Sequence, residues 1–300
     1  MKPTLHQLKI FRTVAEKGSF SRAAEALHLT QPAVSIQVRQ LETTVGLPLI
    51  EQMGKKFYLT EAGEAIFDCA KAIAGQLEAA TETIDQIKGI RRGRLRISVA
   101  STAGYFVTRL LAAFSDLYPG VAISLDVTNR ASLLQQLDAN ERDLVIMGEP
   151  PSNRNLVATP FMDNPLVLVA APDHPLARAT GLTVEDLADQ TFVVREPGSG
   201  TRAAIERFFK ARDVNVRFAM EMTSSEAIKQ AVQAGLGLGI ASQHTLELEL
   251  ETGRLVAVAA EGFPIMRQWY LVQRAGKRLS PSAELFQSFA LERCRSRDSA

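Results

Sequence analysis

The chain has 300 residues, enough for two or three compact units that each bury a core, and its formal net charge of +1 favours no highly charged partner by itself. Its two cysteines, Cys69 and Cys294, are too few and too far apart for a disulfide framework or a zinc site, and we expect no metal centre. No apolar run is as long as a membrane span and the N-terminus lacks a signal peptide, so we expect a cytoplasmic protein with no membrane partner.

The charge is distributed unevenly along the chain. Residues 1–60 contain eight lysines and arginines against four glutamates, a net charge of +4, which leaves −3 on the remaining residues. Because nucleic-acid phosphates attract basic surfaces, this distribution is typical of a small DNA-binding unit attached to a larger, nearly neutral domain.

Residues 19–42 predict two helices joined by a very tight turn. Ser19 or Ser21 can cap the first helix. Thr30 can cap the second, whose first turn contains Pro32 where a missing N–H does no harm. The inward-facing apolar residues of the second helix recur at spacings of four and three: Val34, Val38 and Leu41. A second helix with a polar outer face is typical of a helix-turn-helix that enters the DNA major groove, although an ordinary helical hairpin has the same pattern.

A short hairpin is predicted behind the second helix, over residues 52–60. Two lysines at its tip can contact phosphates, which adds affinity that falls with salt and carries no sequence information; a solvated lysine pair is the alternative. This hairpin would form the wing of a winged helix-turn-helix. The predicted DNA-binding residues are Ser19, Ser21, Arg22, Thr30, Gln31, Pro32, Ser35, Gln37, Arg39, Lys55 and Lys56.

A long helix is predicted from residue 61 to residue 89, with Thr60 as its cap. Its apolar residues alternate spacings of four and three over three heptads, a seam typical of a coiled coil between two copies of the chain. A helix packed inside a domain is the alternative. The predicted dimerisation residues are Ile66, Ile73, Leu77, Ile84 and Ile87.

The second half of the chain begins after a hinge at residues 89–94, and strands alternate there with helices. Strands are predicted over residues 95–99, 121–127 and 143–147, and again over 166–171, 192–194 and 216–220. This alternation predicts an α/β domain with parallel sheets covered by helices.

Ligands of open α/β sheets bind beyond the carboxyl ends of the strands, where helix N-termini offer free N–H groups. Residues 198–202 resemble an anion cradle, because Gly198 and Gly200 let successive N–H groups converge while Thr201 and Arg202 add donors. A glycine-rich turn whose threonine caps a helix is the alternative, and Arg202 could equally form a surface ion pair. The predicted ligand-binding residues are Ser101, Thr102, Thr128, Asn129, Gly148, Glu196, Gly198, Ser199, Gly200, Thr201, Arg202 and Thr223.

Five segments keep the order and spacing found at the start of LysR-type transcriptional regulators, which the chain closely resembles. They are Leu5-His-Gln-Leu-Lys-Ile-Phe, Gly18-Ser-Phe-Ser-Arg-Ala-Ala, Leu29-Thr-Gln-Pro-Ala-Val-Ser, Gln40-Leu-Glu and Leu59-Thr-Glu-Ala-Gly63. The resemblance implies a winged helix-turn-helix over residues 1–60, a coiled-coil linker helix over 61–89 and a two-lobed, periplasmic-binding-protein-like effector domain over 94–300. Lobe I would comprise about residues 94–162 and 267–300, and lobe II about 163–266.

Within that family, three segments look like the branch that regulates carbon-fixation (Calvin cycle, RuBisCO) operons, known as CbbR or RbcR. These segments are Glu51-Gln-Met-Gly-Lys-Lys-Phe-Tyr-Leu-Thr60, Ser101-Thr-Ala-Gly-Tyr-Phe106 and Arg195-Glu-Pro-Gly-Ser-Gly-Thr-Arg202. The resemblance implies an activator that works as a homodimer or homotetramer on double-stranded promoter DNA and recruits RNA polymerase. It also implies a non-covalent effector such as a sugar phosphate, phosphoenolpyruvate or NADPH.

Other functions are compatible with parts of the sequence. A LysR-type regulator of another operon, with an organic acid or a sulfur compound as effector, would share most of these motifs. An α/β enzyme is disfavoured because no nucleophile elbow, metal-ligand cluster or His–carboxylate pair occurs, and we expect no catalytic residue. A plain solute-binding protein is disfavoured by the basic helix-turn-helix.

Overall fold

The computed structural model describes residues 2–53, 56–87 and 93–295. The chain forms two compact units, one N-terminal to about residue 84 and one formed by most of the remaining chain. The first is a winged helix-turn-helix with a long helix, and the second is a two-lobed α/β domain, so the predicted fold class is confirmed. No helix among the described residues is both long enough and apolar enough to cross a membrane.

Three helices open the N-terminal unit: α1 (Leu5–Lys17), α2 (Phe20–Leu27) and α3 (Gln31–Val45). Each begins at a capping side chain. Thr4 and Gln7 form a capping box, the Ser19 hydroxyl accepts the Arg22 N–H at 3.4 Å, and the Thr30 hydroxyl accepts a backbone N–H of α3. His28 adopts a left-handed backbone conformation with φ 54°, which makes the tight turn between α2 and α3.

The wing and a long helix complete this unit. Strands β1 (Ile50–Met53) and β2 (Lys56–Leu59) pair antiparallel, and α4 runs over Glu61–Ile87. The Thr60 hydroxyl caps α4 by accepting the Gly63 N–H at 3.0 Å. Residue 63 must be glycine because a Cβ there would lie 2.0 Å from the Leu49 carbonyl oxygen. The unit's core contains Leu49, which precedes β1, and residues of α1, α2, α3 and the first turns of α4: Leu8, Ile10, Phe11, Val14, Ala23, Ala24, Val34, Val38, Leu41, Ile66 and Ala70.

The second unit alternates strands and helices. In chain order they are β3 (Gly93–Ala100), α5 (Gly104–Leu117), β4 (Val121–Thr128), α6 (Arg130–Asp138), β5 (Leu144–Met147), β6 (Leu156–Asp163), β7 (Leu166–Ala170), β8 (Thr191–Arg195), α7 (Gly200–Lys210), β9 (Arg217–Met222), α8 (Ser225–Gln233), β10 (Leu238–Ser242), α9 (Glu247–Glu251), β11 (Val256–Ala257), β12 (Gln268–Arg274) and α10 (Pro281–Arg295).

Two five-stranded sheets define the lobes. Lobe I has the strand order β4-β3-β5-β12-β6, and lobe II has the order β11-β7-β10-β8-β9. The expectation of parallel sheets is corrected, because both sheets are mixed. In lobe I, β12 pairs antiparallel with β5 and β6; in lobe II, β7 pairs antiparallel with β10 and β11. The reason is that the chain crosses to lobe II after β6 and returns at β12, so the returning strand enters the first sheet in the opposite direction.

Strand register brings the polar loops of lobe I to one edge. Strands β3 and β4 pair in parallel from Gly93 with Val121 to Ala100 with Thr128, so the loops that follow them start side by side. Lobe I has its core around Trp269, Phe106 and Phe114, whereas lobe II has its core around aromatic and aliphatic residues of β8 and α7. Large buried side chains on each sheet thus hold the loops at the strand ends in place.

Candidate DNA-recognition surface and inter-lobe cleft

Helix α3 presents a polar face because its apolar face is buried in the N-terminal unit. The Gln31 amide donates to the Ser35 hydroxyl at 3.2 Å, so these two side chains are held together on the helix surface. Pro32 and Arg39 are exposed on the same helix, and Gln37 is half-buried. Helix α3 therefore has the arrangement that direct contact with base edges requires.

Two residues predicted to bind DNA already have structural roles. The hydroxyls of Ser19 and Thr30 cap α2 and α3. Their oxygen atoms accept backbone N–H groups at the helix starts, next to the polar face of α3. Ser21 and Arg22 are exposed on α2. Lys55 and the side chain of Lys56 lie outside the described residues, so their predicted phosphate contacts remain predictions.

Sequence reasoning missed Ile36, which is 54% exposed in the middle of the outer face of α3. A large apolar side chain is unusual there, and the methyl group of thymine is the apolar feature of the major groove. The signal in the sequence was an isoleucine outside the inward-facing positions of the helix.

The predicted dimerisation seam of α4 divides into two parts. Ile66 is buried in the core of the N-terminal unit, so its interpretation as an interface residue is corrected: the first turns of α4 cover helices α1–α3. Ile73 is partly buried against that core, and its role in the dimer remains a prediction. Leu77 and Ile84 are 52% and 50% exposed, as an unpartnered coiled-coil seam would be. The side chain of Ile87 lies outside the described residues.

A polar cavity lies between the lobes of the second unit, at the strand edge described above. We call it the inter-lobe cleft; its volume is about 30 Å³, room for one small anionic group or a pair of waters. Its lining residues are Ala100, Ser101, Thr102, Thr128, Asn129, Arg130, Met147, Gly148, Asn164, Arg195, Ser199, Gly200, Thr201, Arg267 and Trp269. Eight of the twelve predicted ligand-binding residues are among them.

Three helices begin at this cleft. Ser101 and Thr102 precede α5, Asn129 caps α6 by accepting the Ser132 N–H at 3.0 Å, and α7 begins at Gly200. The first turn of a helix has backbone N–H groups without intrahelical acceptors, and the helix dipole adds partial positive charge. The Ser199 hydroxyl makes no capping bond, so the N-terminus of α7 is left open toward the cleft. Such an arrangement binds anions.

Three arginines line the cleft, and none of them is among the twelve predicted ligand-binding residues. Arg195 is 4% exposed and is fixed by a two-bond ion pair with Glu196, at 2.7 and 3.0 Å. Its other nitrogen Nη1 donates to Ser101 of lobe I at 3.3 Å and to Ser225 of lobe II at 3.0 Å. Arg195 therefore links both lobes at the cleft wall.

The other two arginines are held by backbone oxygens. Arg130 Nη1 donates to the Glu149 carbonyl oxygen, and Arg267 Nη1 donates to the Gly200 carbonyl oxygen at 3.2 Å. Burial, reinforced by neighbouring arginines, lowers the pKa of Arg130 and lowers the pKa of Arg267 to about 10. Neither has a carboxylate within ion-pair distance among the described residues. A bound anion would relieve this accumulation of positive charge.

Trp269 also lines the cleft. Its side chain is 2% exposed, and its buried indole N–H has no hydrogen-bond acceptor within the part of the chain that the structure describes. A buried donor without an acceptor is unfavourable by about 1–3 kcal/mol. Trp269 is the only tryptophan in the chain, a signal that sequence reasoning left unused.

Four predicted ligand-binding residues lie outside the cleft lining. Arg202 pairs with Glu206 at 2.5 Å, stacks on the Phe218 ring and donates to the Arg195 carbonyl oxygen at 3.2 Å. Its side chain is only 13% exposed and its guanidinium is occupied by these partners within lobe II, which matches the ion-pair alternative rather than a cradle donor. Glu196 is used by Arg195, and Gly198 and Thr223 are exposed. No cluster of metal-ligating side chains occurs among the described residues.

Two family models match this chain. The model described as the bacterial regulatory helix-turn-helix protein of the lysR family matches residues 5–64, and the model described as the LysR substrate binding domain matches residues 88–295. Together these matches cover both units.

Individual proteins are similar over nearly the whole chain. The RuBisCO operon transcriptional regulator of Allochromatium vinosum is 55% identical over 291 residues, 97% of this chain and 96% of that protein. The Synechocystis PCC6803 CcmR regulatory domain in complex with 2-PG is 43% identical, covers 68% of this chain and 98% of its own, and has a TM-score of 0.66. Full-length CbnR complexed with its target DNA has a TM-score of 0.66 at 22% identity, over 97% of this chain and 99% of that one, a likeness of fold.

Proposed function

Since the chain belongs to the LysR family of transcriptional regulators, we propose that it controls carbon-fixation genes in response to a small phosphorylated metabolite. The observation that carries this proposal is the convergence of Arg130, Arg195 and Arg267 with helix N-termini in the inter-lobe cleft. The similarity to a RuBisCO operon regulator supports the target genes, and the 2-phosphoglycolate (2-PG) complex of the similar CcmR domain supports the ligand class.

The DNA-binding function rests on α3. Its N-terminal residues Gln31 and Ser35 are positioned to read base edges, and Ile36 is positioned to contact a thymine methyl group. Lys55 and Lys56 of the wing would add phosphate contacts. Two-fold operators need two such units, which the exposed seam of α4 would supply by pairing two copies of the chain into a dimer. Contacts between effector domains would join two dimers into a tetramer.

Phosphate chemistry matches the inter-lobe cleft. A phosphate group presents several acceptor oxygens and a charge near −2, which suits the guanidinium groups of Arg130 and Arg267 and the N–H groups of α7. The cleft has a volume of about 30 Å³, so it has room for a small group only. Hydroxyls of Ser101 and Thr201 can bind the remaining oxygens.

Ligand binding would act on DNA by favouring one arrangement of the lobes. Because the cleft is formed by both lobes, an anion bound there stabilises the closed arrangement more than the open one, and only such a difference shifts the equilibrium. Closure then changes the placement of the paired DNA-binding units and the recruitment of RNA polymerase. A regulator of chromosomal genes works in the cytoplasm, where we place this chain.

A calorimetric titration of the full chain with 2-phosphoglycolate tests the ligand site. We expect Arg130→Gln to weaken binding at least tenfold, because a charge-assisted hydrogen bond contributes about 1.5–3 kcal/mol. The control is Arg217→Gln, which removes the same charge at an exposed position of β9 outside the cleft lining and should leave the affinity within about twofold. Equal losses in both variants, or no saturable binding by the unmodified chain, would contradict the proposed site.

A further inference from the structure

A second cavity adjoins the inter-lobe cleft on the side of α7. This outer cavity has a volume of about 430 Å³ and lies between α7 of lobe II and the edge of lobe I that carries Glu149 and Tyr270. Arg267 lines both spaces. The Nη2 atom of Arg267 packs against Gly148, because a Cβ atom added at residue 148 would lie only 2.3 Å from it. A Cβ atom added at Gly200 would lie 3.9 Å from the same Nη2 atom. The Arg267 guanidinium is thus the boundary between the cleft and the outer cavity.

The positive charge of the cleft continues into the outer cavity. Arg207 on α7 lines it, is exposed, and has no carboxylate within ion-pair distance among the described residues. Arg207 also contributes to lowering the pKa of Arg130 and Arg267, which places its charge in the same electrostatic environment. The carboxylate that opposes Arg130 and Arg267 is Glu149, which also lines the outer cavity. The outer cavity therefore has two arginines, Arg207 and Arg267, against one carboxylate, and enough room for more than water.

The two spaces differ in what they can hold. The cleft admits one anionic group, whereas the outer cavity has room for the rest of an extended ligand. The polar side chains of Gln268 and Tyr270 line the outer cavity and could bind that part of the ligand. 2-Phosphoglycolate also has two anionic groups, but only two carbons separate them, so we expect both to stay at the cleft and its Arg267 boundary. A longer ligand with a charge at its far end would reach Arg207.

We infer that Arg207 is a specificity-determining residue, which selects extended ligands with an anionic group at each end by binding the second group in the outer cavity. This inference rests on the proposed function, because the first anionic group must occupy the inter-lobe cleft. Arg207 contributes little to ligands that end within the cleft, so its effect depends on ligand length.

The test is a calorimetric comparison of ribulose 1,5-bisphosphate with ribulose 5-phosphate on the full chain. These open-chain probes differ by one phosphate and require no sugar ring to fit. We expect the unmodified chain to bind the bisphosphate at least tenfold more tightly. Arg207→Gln should reduce that ratio to less than about threefold while changing the affinity for the monophosphate less than twofold. Lys210→Gln is the matched control, since Lys210 is exposed on the same helix and lies outside the cavity lining.

Each other outcome overturns a defined statement. Equal affinity of the unmodified chain for both probes, or an Arg207→Gln effect that is the same for both probes or matched by Lys210→Gln, overturns the role of Arg207. Binding of 2-phosphoglycolate without binding of either ribulose phosphate overturns the outer subsite and leaves the proposed function intact. Failure of all three probes to bind contradicts the phosphorylated-ligand proposal itself.

Discussion

At the scale of single residues, we propose that DNA reading depends on a few polar side chains of α3. The hydrogen bond between Gln31 and Ser35 would reduce the side-chain entropy that these two residues lose on binding. Contacts to base edges carry sequence information, whereas contacts to phosphates do not.

We expect Ser35→Ala to weaken binding to the specific operator about tenfold and to leave binding to random DNA nearly unchanged. The reason is that it removes a base-reading hydroxyl and the partner of Gln31, and a good base contact supplies about 1–3 kcal/mol of discrimination. Titrations of both DNAs at one salt concentration provide the measurement, with the random DNA as internal control. A parallel loss on both DNAs would assign Ser35 to folding or to the phosphate backbone.

At the scale of elements, helix α4 combines two roles along its length. Its first turns complete the core of the N-terminal unit through Ile66 and Ala70, and its later turns expose Leu77 and Ile84 one heptad apart. The same apolar spacing therefore runs along α4 from residues that pack inside the unit to residues that are exposed. The spacing alone does not show where along the helix internal packing ends and the exposed seam begins.

The double variant Leu77→Asp and Ile84→Asp should be monomeric in sedimentation experiments and keep its helical content. Two buried carboxylates across a dimer seam lack partners, and their desolvation outweighs the remaining contacts. The control is Gln76→Asp, which adds a carboxylate at an exposed position beside the seam. If the double variant sediments as the unmodified chain does, the dimer interface lies elsewhere.

The same distinction explains which parts of the fold could be predicted. The helix-turn-helix was predictable because caps such as Thr30, the turn at His28 and the apolar spacing are all local signals. The insertion of β12 between β5 and β6 was not, because strand order depends on pairings between distant parts of the chain. For the same reason the polar loops of the cleft were predicted, but Arg267, which comes from the returning crossover segment, was missed.

At the scale of the whole effector unit, contacts other than the cleft also join the lobes. Arg109 on α5 pairs with Glu247 on α9 at 2.8 Å, and the Tyr105 hydroxyl lies 3.4 Å from the Glu226 carboxylate on α8. Both contacts join lobe I to lobe II without a ligand. The Arg109–Glu247 pair is more than half exposed on each side, so solvent limits its contribution to less than about 1 kcal/mol.

Arg109→Glu should weaken the affinity for 2-phosphoglycolate about two- to fivefold, because it places two carboxylates face to face and disfavours closure of the lobes. Adding Glu247→Arg restores the opposite charges and should return the affinity to within about twofold of the original value. Calorimetry at low and high salt checks both statements, since screening should reduce the defect. An unrescued defect in the charge-swapped chain would show that Arg109 acts by another route.

The glycine at the start of α4 has a mechanical consequence. A Cβ atom at Gly63 would lie 2.0 Å from the Leu49 carbonyl oxygen, so the start of α4 packs directly against the backbone between α3 and β1. This close packing leaves little room for α4 to move relative to the recognition helix α3. The 27 residues of α4 span about 40 Å, so a tilt of about 5° at its start corresponds to a displacement of about 3 Å at the far end. Conversely, a small displacement at the far end of α4 corresponds to a small rotation of α3. In a dimer, such rotations would change the affinity for two DNA half-sites without dissociation from either.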